Sequence, residues 1–141
     1  MSKVWKVLTV KEPWGTMIMR GCVTPWEGEY KFKDVENRTW AAGYRGEMLI
    51  HTSKTVEKKT VKWLEAEGFE LYSSCPGHIL GKVYLDDIVR DSESPFAVRG
   101  QYHWLVSDPV QLVNPVPCKG KLGLWTYEGD LEFVVDRSAL T

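Results

Sequence analysis

The stretch KDVENRTW, residues 33–40, holds a lysine, a glutamate, an arginine and a tryptophan within eight positions, with only Val35 as an apolar anchor. In an extended strand successive side chains point to opposite faces. Glu36, Arg38 and Trp40 therefore share one face, while Val35 and Asn37 share the other. Arg38 carries a planar, permanently charged fork suited to phosphate or carboxylate, although Glu36 two residues earlier can occupy it instead. Glu36 can accept from an exocyclic amine of a base, or act as a general base if burial raises its pKa. Its bland alternative is an exposed ion pair of little worth. Lys33 becomes a nucleophile or base only if it is desolvated. Trp14, Trp40 and Tyr44 could each stack a base, at roughly 1–3 kcal/mol per base, yet aromatic residues more often belong to cores.

A second group sits in EPWGT. Pro13 suits the first position of a helix, whose N-terminal N–H groups are open to an anion. Gly15 allows close approach, and Trp14, Gly15 and Thr16 join the candidate binding set. Lys54 adds a cation as a phosphate contact or a base. Weaker arrangements are Cys75 with His78 in SSCPGH, which has no orienting third group, and His51, read as a hydrogen-bonded core histidine. The histidines and the three cysteines show no metal-ligand spacing, so neither a metal nor another cofactor is expected.

The elements that must position these residues follow from periodicity. Residues 4–10 alternate as a strand. Trp14, Met17 and Ile18 then fall at helical spacing, with Gly21 as a stop. A turn-rich insertion at about 22–32 precedes KDVENRTW. RGEMLIHTS alternates again and ends at Lys54. Thr55 is placed as the cap of a second helix running to about Glu67, with Val56, Thr60, Trp63 and Leu64 on its apolar stripe. GHILGKVYLDDIV, YHWLV, VQLV, KLGLWTY and LEFVV supply further strands. The class is α+β: a small, mostly antiparallel β-barrel with two to three helices covering its ends.

At 141 residues the chain fits one domain. No apolar run approaches the roughly 20 residues of a membrane-spanning helix, so no membrane association is expected. MSKVWKVLTV is an alternating strand pattern and not a signal peptide, which points to the cytoplasm. Charge is unevenly spread: residues 1–62 hold 12 Lys or Arg against 7 Asp or Glu, a net of +5, and residues 63–141 hold 6 against 12, a net of −6. A general nucleic-acid coater would be more basic, so nucleic-acid binding here should be local and pocket-like.

In the order TVKEPWGTMIMRG, KDVENRTW, YRGEMLIHTSK, GHILGKVYLDDIV and YHWLVSDPVQLVNPVPCKGKLGLW, the chain resembles the ASCH family, the activating-signal-cointegrator homology domains of the PUA-like superfamily. The resemblance covers about residues 7–126. It implies a PUA-like β-barrel over 1–141 with a cleft beside the first helix, and ligands of RNA or nucleotide type. Some members look like RNA-binding modules and others are hydrolases. One branch removes the acetyl group of N4-acetylcytidine with a lysine, a threonine and a glutamate. Its lysine falls on Lys33 but its threonine falls on Glu36, so that set is not reproduced. Another branch is a ribonuclease. The expectation is a domain that binds single-stranded RNA or a nucleotide, with Arg38 and Lys54 on phosphate, Glu36 on a base edge and an aromatic residue stacking. The alternatives are a metal-independent hydrolase of a nucleoside or RNA using Lys33, Glu36 and Lys54, and a module that binds a protein partner.

Overall fold

The structure, a computed structural model, describes residues 2–135. Among them nine strands and two helices follow in the order β1 (Val4–Glu12), α1 (Trp14–Arg20), β2 (Cys22–Val23), β3 (Tyr30–Lys31), β4 (Val35–Arg38), β5 (Gly46–Val56), α2 (Lys58–Ala66), β6 (Glu70–Leu71), β7 (His78–Val89), β8 (Tyr102–Pro117) and β9 (Leu124–Glu128). Six of the strands form one sheet in the order β4-β8-β7-β5-β1-β9, and β3-β2-β6 form a small second sheet. Among the described residues β1 and β5 are the one parallel pair, and the remaining pairings are antiparallel. The α+β, mostly antiparallel class thus holds. The barrel expectation meets a different arrangement, because the hydrogen-bonded order ends at β4 on one side and β9 on the other, and the sheet is not closed. Among the described residues no helix is long and apolar enough to cross a membrane.

Both faces of the large sheet are covered, which is why VLTV and MLI read as nearly continuous apolar runs. On one face Leu8, Val10, Met48, Ile50, Leu80 and Trp104 pack with Ile18 and Met19 of α1. On the other face Trp5, Val7, Leu49, Ile79, Leu112 and Trp125 form a second cluster. The close seat of α1 depends on Gly81 in β7. A Cβ there would lie 2.2 Å from the Val110 carbonyl oxygen and 2.6 Å from the Met19 methyl. This is where the β7–β8 register shifts, so no larger side chain fits without moving backbone.

Several boundaries differ from the sequence expectation. YHWLV and VQLV are one strand, β8, that bends at Asp108, whose φ is 50°. Thr55 lies inside β5 and caps nothing; Glu57 precedes α2 and has no side-chain capping bond. Parallel pairing of Val56 with Glu12 carries the strand past the residue that looked like a cap. LEFVV reaches only an isolated bridge between Phe133 and Leu112. The insertion at 22–32 is ordered as β2 and β3, joined by a turn in which Glu27 and Gly28 take φ of 58° and 69°.

Candidate functional site

A cavity of about 740 Å³ opens between the start of α1, the segment 33–40, the β2–β3 turn, α2 and the loop joining β7 to β8. At its floor β4 places three charges in a row. Lys33 is 3% exposed and Glu36 is 7% exposed. Lys33 Nζ donates to Glu36 Oε1 at 3.1 Å and to the Val35 carbonyl, and stands 5.3 Å from the Trp14 ring centre. Arg38 approaches the other carboxylate oxygen, with Nε and Nη2 at 3.1 and 3.0 Å from Oε2. One carboxylate is therefore held between two cations, and the row carries a net charge of +1. This is neither an exposed ion pair nor a solvated lysine: burial removes the water that makes surface pairs weak, and leaves each charge dependent on its partners.

Arg38 has a further contact. Its Nη2 donates to the main-chain oxygen of Thr9 in β1. The edge strand β4 and the strand β1 are four places apart in the sheet order, so the sheet must curl to let one guanidinium touch both.

Aromatic residues make the walls. Trp14 comes from the first residue of α1. Trp40 lies beyond the end of β4 and sets its ring edge-on to Trp104, with centroids 4.8 Å apart, while Trp104 Nε1 donates to the Trp40 carbonyl at 3.1 Å. Trp26, at the tip of the insertion, meets Phe69 and Phe96 edge-on, each at 5.5 Å. The insertion is thus a wall of the cavity. Asn37 fixes the opposite loop, donating to the Phe96 carbonyl at 3.0 Å and accepting from the Val98 N–H at 2.8 Å. His103 pins that loop as well. Its Nδ1 accepts from Ser92 N–H, so Nε2 carries the hydrogen donated to the Val98 carbonyl.

Of the residues singled out on the sequence, Trp14, Lys33, Glu36, Arg38 and Trp40 come together in this cavity. Gly15 and Thr16 do not face it as anion donors. They are buried, and the Thr16 N–H and hydroxyl both go to the Glu12 carboxylate, which also accepts from Cys75 N–H. Gly15 serves packing, since a Cβ there would lie 2.8 Å from Thr52 Cγ2. Lys54 is exposed on β5 and does not line the cavity. Tyr44 lines a separate hollow with Lys3, Trp5 and Lys6, and donates to the Glu47 carbonyl at 2.5 Å. Burial pushes its phenol above the usual tyrosine range.

Sequence reading missed the roles of Asn37, Phe69 and Phe96 in building the walls. Asn37 was discoverable as a polar residue on the supposedly apolar face of β4. Phe69 and Phe96 carry no local signal. Trp63, expected on the buried stripe of α2, is 57% exposed at the rim, whereas Leu64 is buried.

His51 is a core histidine, as its apolar neighbours suggested, and 1% exposed. Its Nε2 meets the Cys118 carbonyl at 2.8 Å, and its Nδ1 meets the Thr9 hydroxyl at 3.1 Å, which in turn accepts from Trp125 Nε1. Burial holds its pKa below 6.5, with nearby His78 acting in the same direction and the Cys118 carbonyl opposing. A folded-state pKa below that of the unfolded chain means that unfolding takes up a proton. Stability should be unaffected by this group above about pH 6.5 and fall below it, by up to about 1.4 kcal/mol per pH unit. Urea unfolding at pH 7.5 and pH 5.5 measures this. A slope equal to that of a folded His51→Gln variant would disprove it.

A scan of protein-family models and a search of curated proteins each return no match.

Proposed function

We propose that the cavity binds a nucleotide, free or within single-stranded RNA. The observation that carries this reading is the buried Lys33–Glu36–Arg38 row at the floor of a cavity walled by indole and phenyl rings. Its volume lies in the range of small-molecule sites, which are mostly apolar with a few placed polar groups. Bases removed from a stack are held in this way, between aromatic side chains with polar groups on their edge. Under this reading Glu36 accepts from the base, Arg38 and Lys33 donate, and Trp14 or Trp40 stacks. The resemblance to ASCH domains, with their PUA-like barrel, supports the same proposal. Lys54, exposed and outside the cavity, has no part in it.

The test is the fluorescence anisotropy of end-labelled single-stranded RNA, followed over time at low and moderate salt. A stable, salt-sensitive rise is expected. Arg38→Ala should weaken binding by roughly 1–3 kcal/mol, as for loss of a charge-assisted contact. Unchanged affinity in that variant, with circular dichroism intact, would remove the site. A rise that then decays would favour a second reading, hydrolysis, for which Lys33 and Glu36 at 3.1 Å form the one lysine–carboxylate pair on the cavity floor.

A further inference from the structure

We propose, building on the nucleotide reading above, that the cavity selects guanine, and that the Glu36 carboxylate is the group that reads it. An ionised carboxylate accepts and cannot donate, so the ligand edge facing it must supply hydrogens. Glu36 has each oxygen engaged from its outer side: Oε1 by Lys33 at 3.1 Å and Oε2 by Arg38 at 3.0 Å. This leaves a lone pair on each oxygen, side by side, and fixes the plane in which they lie. Two parallel acceptors are matched by two adjacent N–H donors in one plane, the same complementarity that makes arginine–carboxylate pairs bidentate.

Only one of the four bases has such an edge. Guanine presents N1–H beside its N2 amine. Adenine and cytosine present a single amine beside an acceptor ring nitrogen, which would set a lone pair against the second carboxylate oxygen. Uracil presents one N–H flanked by carbonyls, with the same conflict. Next to guanine N1–H stands O6, an acceptor, which falls on the side of whichever cation flanks the oxygen that N1–H meets. Lys33 retains one N–H beyond its bonds to Glu36 and the Val35 carbonyl, and Arg38 retains its Nη1 donors beyond Glu36 and Thr9. Either cation can serve O6. With Glu36 only 7% exposed, a mismatched edge would leave buried polar groups unpaired, and that penalty is what makes such sites selective.

Isothermal titration of the whole chain with GMP, IMP, AMP, CMP and UMP at low salt tests this. IMP differs from GMP only in lacking the N2 amine. GMP should bind most tightly, and IMP weaker by about tenfold or more, the scale of losing half of a bidentate base contact. A folded Glu36→Gln variant should bind GMP and IMP alike; if it does not fold, the comparison in the native chain decides alone. Equal affinity for GMP and IMP, a tighter fit of another nucleotide, or a preference that survives Glu36→Gln would overturn the guanine assignment while leaving the nucleotide reading in place. Binding of none of the five at millimolar concentration would overturn both.

Discussion

Replacing Glu36 with alanine is expected to destabilise the protein by about 3–5 kcal/mol, the usual cost of breaking a buried ion pair from one side. The carboxylate is the only anion between Lys33 and Arg38 on the cavity floor, and Lys33 is 3% exposed. Without Glu36 the ammonium keeps the Val35 carbonyl and the Trp14 face but has no counter-charge. Arg38, with about a fifth of its side chain exposed, can still reach water. Most of the loss should therefore trace to Lys33, and a Lys33→Met, Glu36→Gln double variant should regain much of it. Urea midpoints of the two variants measure this. A loss below about 1 kcal/mol for Glu36→Ala, or a double variant weaker than the single one, would show that the row is not held as described.

Trp104→Ala should cost a similar amount, about 3–5 kcal/mol, for a different reason. Trp104 is fully buried in the larger core cluster and stands opposite Glu36 in the β4–β8 register. Truncation opens a cavity beneath the site, removes the donor to the Trp40 carbonyl and frees the Trp40 ring from its edge-on contact. At this chain length a loss of that size lowers the melting midpoint on the order of 10 °C. Trp104→Phe retains the ring contact and gives up only the N–H, so it should fall between the two. A Phe variant as weak as the Ala variant would mean that the hydrogen bond, and not the packing, holds Trp40.

What could be read from the chain was what local pattern encodes. Val4 to Val10, Met48 to Ile50 and Ile79 to Leu85 announce strands because both faces of their sheet are buried, and no alternative element buries β-branched and aliphatic runs so completely. Glu36 and Arg38 share a face because a strand has period two, and they do meet. Lys33 lies outside β4, and nothing local says whether its side chain turns inward; its burial is decided by Met17, whose carbonyl takes the Lys33 N–H across sixteen residues. Lys54 and Tyr44 were grouped with the site because they are near it in sequence-derived order, but β5 carries Lys54 to an exposed position and Tyr44 turns to the Glu47 carbonyl. The Ser-Asp-Pro run in β8 reads as a break, yet a single residue at positive φ bends the strand without ending its ladder. Phe69 and Phe96 join Trp26 from distant loops, a meeting set by tertiary packing that no short window contains.

The bond from Arg38 to the main chain of Thr9 bears on how this protein can diverge. One guanidinium is shared by the ligand cavity and by the curl of the main sheet, so position 38 answers to two requirements at once. A change that altered recognition there would also loosen the approach of β4 to β1. The aromatic wall is under no such double constraint: Trp26 sits in a turn of the small sheet, and Phe69 and Phe96 lie outside every strand of the large one. Drift in ligand preference among descendants of this chain has its open route through those three positions, with the charged floor inherited unchanged.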